Sequence, residues 1–215
     1  SSDLIVGYEC ECGEEITFLS ELHPFGWSDD FALELTCPKC KKSHTILKDE
    51  AINFNAHKVH QVFDEIYGDI LEIGCEYGML TNYISKNEKV NSITCVDIED
   101  YSHSRLLKDK KIRFILDDLE KLDVTHFDKK FDFLVCKDVL MYIMDIEKLV
   151  EKLSKICKNV VVINWFNKEK KNCKNKNATP LKVKKIFAKY YPTVSLTYPH
   201  LYNYCYLIKA SKSKK

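Results

Sequence analysis

The amino-acid sequence predicts an α/β fold built on an open, mostly parallel sheet, with a small β appendage ahead of it. Strand-like apolar runs alternate with helical patterns from residue 68 onward, which is typical of parallel sheets with helical crossovers. One run ends in a glycine-bearing turn, and two close cysteine pairs precede the alternating region. The predicted organisation is an N-terminal module in 1–48, a linking helix in 49–67, a core domain in 68–210 and a basic tail in 211–215.

Length and composition allow one substantial hydrophobic core and a small appendage. The chain has 215 residues, of which 45% are apolar, and it holds ten cysteines. No apolar run is long enough to cross a membrane, and the first residues show no signal-peptide pattern. Cysteines that lie within strands and helices suit small buried positions in a reducing compartment. We therefore expect a cytoplasmic protein with no membrane partner, of unknown oligomeric state.

Four cysteines in the N-terminal module have the spacing of metal ligands. Four thiolates satisfy a tetrahedral Zn²⁺ ion and leave no open position, so the pattern predicts a structural zinc site and resembles a zinc ribbon. Iron in a rubredoxin-like site and two pairs of free thiols are the alternatives. His44 is interpreted as a plain surface histidine. The predicted ligands are Cys10, Cys12, Cys37 and Cys40.

The rest of the appendage is predicted to contain two strands and the linking helix. The strand-like runs are residues 16–19 and 31–36. Residues 49–67 carry apolar side chains three and four positions apart, which predicts an amphipathic helix. His57 and His60 are interpreted as exposed residues of that helix, with ligand or catalytic roles as the alternative.

The core domain opens with a strand at residues 69–73 that leads into Gly74 and Gly78. Glycine permits positive φ and lets a ligand approach the main chain, while the first amides of the following helix face the same crevice. That helix is predicted to run to about Lys86. By itself, such a junction also fits a dinucleotide-binding unit.

Three further strands lead into segments with polar side chains. The run at 91–96 ends at Asp97, about twenty residues beyond the glycine turn, where a carboxylate can accept both ribose hydroxyls. The other two runs and the segments after them are 111–116 with 117–119, and 131–136 with 137–143. Four signals in this order and spacing are far more specific than the glycine turn alone.

These segments resemble the motifs of the class I S-adenosylmethionine-dependent methyltransferases. The resemblance implies a Rossmann-like, seven-stranded sheet of order 3-2-1-4-5-7-6 with an antiparallel last strand, and S-adenosylmethionine as the cofactor. It also implies that an aspartate after the third strand accepts from the adenine amino group. The cofactor-binding residues that it assigns are Glu72, Gly74, Glu76, Gly78, Asp97, Ile98, Asp117, Asp118, Leu119, Cys136 and Lys137.

Position 76 departs from the family pattern, because the middle glycine of the motif is replaced by Glu76. A side chain there must point away from the methionine moiety or compress the pocket. Its carboxylate can also bind the ammonium group of the ligand.

The downstream part of the core is predicted to alternate helix and strand and to close in a hairpin. Asp145 is placed to cap the first of these helices. The predicted elements are a helix at 145–156, a strand at 160–165, a helix at 180–190 and strands at 193–198 and 204–209.

Positive charge is concentrated late in the sequence. Residues 146–215 hold 17 lysines against three acidic residues, including a lysine- and asparagine-rich segment at 168–177. Such a surface attracts phosphate groups or acidic partners, although a solvated helix face has the same composition. An RNA partner therefore stays open beside a small-molecule acceptor.

Methyl transfer to an oxygen acceptor requires a group that removes a proton. The candidates near the strand ends are Asp138, Tyr142 and His200. Each also has an ordinary interpretation, as the start of a helical turn, a half-buried aromatic residue and an exposed turn residue.

The leading functional hypothesis is an O- or N-methyltransferase acting on a small molecule, a sugar or a biosynthetic intermediate. The fourth strand is followed by neither an Asn/Asp-Pro-Pro-aromatic motif nor a Pro-Cys nucleophile, so the resemblance argues against nucleobase amino or C5 methylation. The alternatives are a tRNA or rRNA methyltransferase that uses the basic C-terminal third, and a non-catalytic, cofactor-binding interaction protein.

Overall fold

The computed structural model describes residues 4–20, 32–47, 52–53, 59–165, 178–198 and 205–213. The chain divides into two compact units, Ser1–Val62 and Phe63–Lys215. Each unit is described by itself.

The first unit contains two small antiparallel sheets among its described residues. In one sheet, β1 (Leu4–Glu9) lies between β2 (Glu15–Ser20) and β5 (Ile52–Asn53). In the other, β3 (Ala32–Thr36) pairs with β4 (Ser43–Leu47). Strands β2 and β3 agree with the two strand-like runs that the sequence indicates.

The predicted linking helix is wrong at its beginning. Ile52–Asn53 is a strand, because its backbone pairs with Val6 and Gly7 of β1. His57 lies outside the described residues. Val59 and His60 are helical, and His60 is only 4% exposed, so its interpretation as an exposed helix residue is also wrong.

The second unit is built on a seven-stranded sheet with the order β11-β12-β10-β9-β6-β7-β8. Strands β6 to β10 pair in parallel, whereas β12 is antiparallel to both β10 and β11. Numbered within this unit, the order is 3-2-1-4-5-7-6 with a reversed last strand, which confirms the predicted fold class. The strands are β6 (Gly68–Ile73), β7 (Val90–Asp97), β8 (Ile112–Leu116), β9 (Phe131–Lys137), β10 (Cys157–Trp165), β11 (Thr193–Thr197) and β12 (Cys205–Ser211).

Three described α-helices of the second unit agree with the sequence pattern. They are α1 (Met79–Ser85), α2 (Ile146–Ser154) and α3 (Pro180–Ala188). Helix α2 begins after Asp145, whose carboxylate accepts from the Lys148 amide at 2.9 Å. Proline suits the first turn of α3, because an amide there has no intrahelical partner.

Burial explains why the central strands are continuous apolar runs. Strand β6 lies between β7 and β9, and residues 70–73 are all buried. The five cysteines that the structure describes in the second unit are confirmed as buried side chains, with exposures from 0% to 7%. They are Cys75, Cys95, Cys136, Cys157 and Cys205. Within the described ranges, no helix has the length and apolar character needed to cross a membrane.

Candidate functional site

The carboxyl ends of four neighbouring parallel strands form the candidate cofactor site. Strands β8, β7, β6 and β9 are adjacent in the sheet, and the segments predicted to bind the cofactor follow each of them directly. In open α/β sheets, ligands bind in the crevice beyond these strand ends. The fold therefore brings together residues that are 65 positions apart in the sequence, from Glu72 to Lys137.

The turn after β6 needs glycine at two positions. Gly74 has φ of 70° and Gly78 has φ of 88°, both in the left-handed region. A Cβ on Gly74 would lie 2.1 Å from Val139 Cγ2, and one on Gly78 would lie 2.4 Å from Leu107 Cδ2. Both glycines therefore allow a left-handed backbone and leave room for the neighbouring Val139 and Leu107 side chains.

Glu76 adopts the conformation that explains the glycine of the resembled motif. Its φ is 47°, and its backbone N–H donates to Asp97 Oδ2 at 2.9 Å. The residue is exposed, so its side chain does not fill the inside of the turn. A left-handed conformation costs a residue with a Cβ about 1–2 kcal/mol.

Asp97 has a structural role that the sequence did not reveal. Its carboxylate accepts from the Glu76 amide through Oδ2 and from the Glu99 amide at 3.2 Å through Oδ1. It is 7% exposed and joins the glycine turn to the end of β7. Each carboxylate oxygen has a second lone pair, so both can still accept a hydroxyl.

Glu72 is a buried acid with a free acceptor atom. It is 2% exposed, and in the described chain neither its Oε2 nor the buried Thr81 Oγ1 has a well-formed hydrogen bond. Burial raises the pKa of Glu72 to about 7, although the Thr81 hydroxyl and the Lys137 ammonium act in the opposite direction. An unsatisfied buried acceptor at this edge fits a ligand that carries a donor or a positive charge.

Hydrogen bonds join the segment after β8 to Asp97 and also connect residues within the segment. The Asp117 amide donates to the Asp97 carbonyl at 2.9 Å, and the Asp118 amide donates to Asp117 Oδ1 at 2.7 Å. The Asp118 carboxylate accepts from the Glu120 amide and lies 3.0 Å from Lys121 Nζ. These contacts fix the positions of both predicted adenine-binding aspartates.

Apolar side chains around these carboxylates differ in exposure. Ile98 is 64% exposed and Leu116 is 56% exposed, so both present apolar surface at the strand ends. Leu119 is 7% exposed and belongs to the main hydrophobic core. Ile98 is therefore available for contact with a flat ring, whereas the Leu119 side chain serves the core.

The segment after β9 contains a second strained residue. Asp138 has φ of 59°, and its Oδ2 pairs with Lys137 Nζ at 3.0 Å. Cys136 is completely buried. Asn164, a buried residue of β10 that sequence reasoning missed, holds this segment because its Oδ1 accepts from the Leu140 amide at 3.2 Å.

Two of the three candidate catalytic residues lie within the described part of the chain. Asp138 and Tyr142 lie on the same segment after β9, and Tyr142 is 49% exposed in the 3₁₀ turn Leu140–Tyr142. His200 lies outside the described residues. The structure thus places one carboxylate and one phenol on the segment that follows the fourth strand.

The four cysteines of the first unit come together. Their Sγ atoms all lie within 4.8 Å of one another, with separations of 3.5 Å for Cys10 and Cys40 and 3.6 Å for Cys12 and Cys37. Sulfurs around tetrahedral zinc are about 3.8 Å apart, from Zn–S bonds of about 2.3 Å. The cluster therefore has the dimensions of a four-thiolate metal site.

Backbone amides and a histidine surround the sulfurs. The Cys40 amide donates to Cys37 Sγ at 3.5 Å and lowers the pKa of Cys37 to about 7, which favours the metal-binding thiolate. His44 Nε2 lies 3.2 Å from Cys10 Sγ, and its ring packs 5.0 Å from that of Tyr8. His44 is thus part of the cluster environment, which corrects its interpretation as a plain surface residue.

Comparisons with known proteins agree with this fold. Residues 71–163 match the family described as a methyltransferase domain. A SAM-dependent methyltransferase from Aquifex aeolicus has a similar structure, with 18% identity, a TM-score of 0.57, and coverage of 73% of this chain and 89% of that one. No curated protein sequence matches the chain.

Two further solved structures show the same fold. In a complex of the Haloferax volcanii Trm112 methyltransferase activator with a methyltransferase, the matched chain has 9% identity, a TM-score of 0.59, and coverage of 75% of this chain and 90% of that one. The N-terminal domain of EvdMO1, crystallised with SAH and D-fucose, has 11% identity, a TM-score of 0.54, and coverage of 75% and 82%. This chain spans only 40% of a longer EvdMO1 chain.

Proposed function

Because this chain is an S-adenosylmethionine-dependent methyltransferase, we propose that it methylates an oxygen or nitrogen atom of a small molecule, a sugar or a biosynthetic intermediate. The observation that carries the proposal is the meeting of the glycine turn, the buried acid Glu72 and Asp97 at adjacent strand ends. The sugar class is supported by the EvdMO1 domain, which was crystallised with D-fucose.

The chain offers matching groups for each part of the cofactor. The positive φ angles of Gly74 and Gly78 shape the turn beside the proposed site, and the Asp97 carboxylate has lone pairs left for ribose hydroxyls. Ile98 offers an apolar surface, and Asp118 an acceptor, for the adenine. When bound, S-adenosylmethionine supplies an electrophilic methyl group on a good sulfonium leaving group.

The free Oε2 of Glu72 and the exposed carboxylate of Glu76 are proposed to favour the positive groups of the cofactor. Cys136 and Lys137, at the end of β9, complete the wall of the proposed site, while Asp117 and Leu119 hold the adenine segment in place. Every predicted cofactor-binding residue thus lies in the proposed site, where Asp117 and Leu119 support the adenine segment and do not contact the cofactor.

The acceptor side of the site is proposed to be the segment after β9. Positioning the attacking atom in line with the methyl group supplies most of the catalysis. For an oxygen acceptor, Asp138, whose Oδ2 lies 3.0 Å from Lys137 Nζ, accepts the hydroxyl proton. Tyr142 and His200 are the other candidate bases.

A crystal structure with S-adenosylhomocysteine tests the proposal directly. We expect that compound at the ends of β6 to β9, with its ribose at Asp97, and the cavity beside its sulfur will show the size and polarity of the acceptor. A complex with the compound at any other place would overturn the proposed site. A cavity too small for a sugar would exclude that acceptor class.

The salt dependence of acceptor binding distinguishes an RNA acceptor from an uncharged small molecule. Neutralising phosphates with lysines releases counterions, so RNA binding would fall steeply as salt increases. An uncharged acceptor would show no such dependence. The lysine-rich residues 168–177 lie outside the described residues, so this alternative depends on the sequence alone.

We further propose that Cys10, Cys12, Cys37 and Cys40 hold one structural Zn²⁺ ion. Four sulfurs leave no open coordination position, which favours a structural over a catalytic role. Elemental analysis should give one zinc per chain. One iron per chain would instead indicate a rubredoxin-like site.

A further inference from the structure

A cavity of about 290 Å³ lies between β7, β8 and the segment that leads into β9, away from the cofactor residues. Its lining includes Ser92, Ile93 and Thr94, which are three to five residues before Asp97 in β7. At about 3.3 Å per residue, this places the cavity roughly 10–17 Å from the carboxyl end of that strand. We propose that this cavity binds a phosphate-bearing small molecule.

The cavity is strongly cationic. Its lining contains Lys110, Lys111, Arg113 and Lys129 against a single carboxylate, Asp128. Four positive charges around a concave surface raise the local concentration of anions. Arginine and lysine together supply the forked and point-charge donors that phosphate oxygens accept.

Two of the four cations are held in place by the protein. Lys111 Nζ donates to the carbonyls of Ser85 at 3.2 Å and Asn87 at 3.4 Å, at the end of α1. Those partners are neutral, so the Lys111 charge is not cancelled by a carboxylate. Lys129 Nζ donates to Asp69 Oδ1 at 2.9 Å and to Ser92 Oγ at 2.7 Å. An ordered ammonium loses less conformational entropy when a ligand binds.

The other two cations remain available. Lys110 and Arg113 are exposed, and no salt bridge joins either one to another described residue. Asp69 compensates Lys129, and its pKa is held below the usual range by the Ser92 hydroxyl and by Lys129. With Asp69 beside Lys129 and Asp128 in the lining, the four cations (Lys110, Lys111, Arg113 and Lys129) face two carboxylates and leave a net charge of +2 at the cavity.

Apolar side chains lie beneath the cavity. Ile93 is fully buried, and the rings of Phe127 and Phe131 pack edge to face with centroids 5.4 Å apart. Lys129 Nζ lies 5.8 Å from the Phe131 ring centroid. Because Ile93 and Phe131 are buried, a ligand meets mainly the cationic rim, which suits a compact phosphate-bearing molecule. The volume is near the lower end of small-molecule sites.

A titration with uridine 5′-monophosphate, followed by amide NMR, tests the proposal. Uridine is used because an adenine could enter the cofactor site. We expect saturable shifts confined to residues 92–94, 110–113 and 127–131. The double variant Lys110→Ala/Arg113→Ala should weaken binding at least about tenfold, because two charges at the rim are lost.

The matched control is Lys148→Ala/Lys182→Ala, which removes two exposed lysines from α2 and α3. It should leave uridine monophosphate binding unchanged, and both double variants should bind S-adenosylhomocysteine as the unmodified protein does. Unsaturable shifts, or equal weakening by both pairs, would overturn the proposal. Tighter binding of a ten-nucleotide RNA at the same residues would also overturn it, in favour of a polynucleotide surface.

Discussion

The two units of the chain differ in the hydrophobic clusters of their described residues. The second unit has a hydrophobic cluster of 24 buried residues that joins the sheet to α2 and α3. Among its described residues, the cluster around the cysteines of the first unit has only Cys10, Ile16 and Cys37 as buried members. Metal ligation supplies folding free energy to small modules of this kind. We therefore expect the stability of the first unit to depend on the proposed metal, and the stability of the second unit to be independent of it.

The largest expected effect is the unfolding of the first unit alone when the proposed metal is removed. We expect chelation, or Cys37→Ser, to abolish hydrogen-exchange protection in residues 4–47 while the second unit keeps its unfolding temperature. The matched control is Cys157→Ser, which makes the same chemical change in the large core and should destabilise only the second unit. Simultaneous loss of both units in one cooperative transition would contradict this prediction.

The next largest effect is expected from Asp97→Ala in the second unit. The change removes the acceptor of two backbone amides and the proposed ribose partner. Two charge-assisted hydrogen bonds at about 2 kcal/mol each correspond to a roughly 1000-fold loss of affinity. Calorimetry with S-adenosylhomocysteine measures it, with Asp100→Ala on the exposed loop as the control. Unchanged affinity would move the ribose contact elsewhere.

Glu72 should make the stability of the second unit depend on pH. Its pKa is raised from 4.5 to about 7 by burial, so the folded state holds a proton that the unfolded state loses above pH 4.5. Stability therefore falls as pH rises from 4.5 to 7 and stays low above it, by up to about 3 kcal/mol.

Urea unfolding of the second unit at pH 5 and pH 8 measures this effect. Glu72→Gln should remove most of the decrease, because an amide does not ionise. Glu88→Gln, at an exposed glutamate, should leave the decrease as it is. An equal decrease in both variants would assign the pH dependence to other groups.

The smallest expected effect is a gain from Glu76→Gly. Glycine adopts φ of 47° without steric cost, so the variant should be more stable by about 1 kcal/mol. Thermal unfolding measures the change. The same substitution at exposed Glu99, which is not in the left-handed region, should instead be destabilising. A loss of stability in Glu76→Gly would show that the side chain makes a necessary contact.

The sequence predicted the parts of the fold that depend on local pattern. The apolar run of β6, the glycine turn and the cap at Asp145 all follow from neighbouring residues. The strand Ile52–Asn53 could not be predicted, because its two residues pair with residues of β1 that are 45 and 47 positions away in the sequence. Helical spacing of apolar residues in 49–67 pointed to the wrong element for that reason.

In the candidate site too, local patterns could be predicted and distant contacts could not. Motif residues such as Gly74 and Asp97 could be identified, because their types and spacing carry the information. The supporting contacts of Asp97 and Asn164 could not, since each depends on backbone groups placed by a different strand. His44 was misjudged because only the folded turns bring its ring to Cys10.

The position of β12 constrains how the protein is made. Strand β11 has no described partner other than β12, which lies between it and β10. A nascent chain that has emerged from the ribosome only as far as β11 therefore leaves the edge of β10 unpaired. Such an edge can join another chain, so synthesis through Ser211 removes this route to aggregation by covering β10.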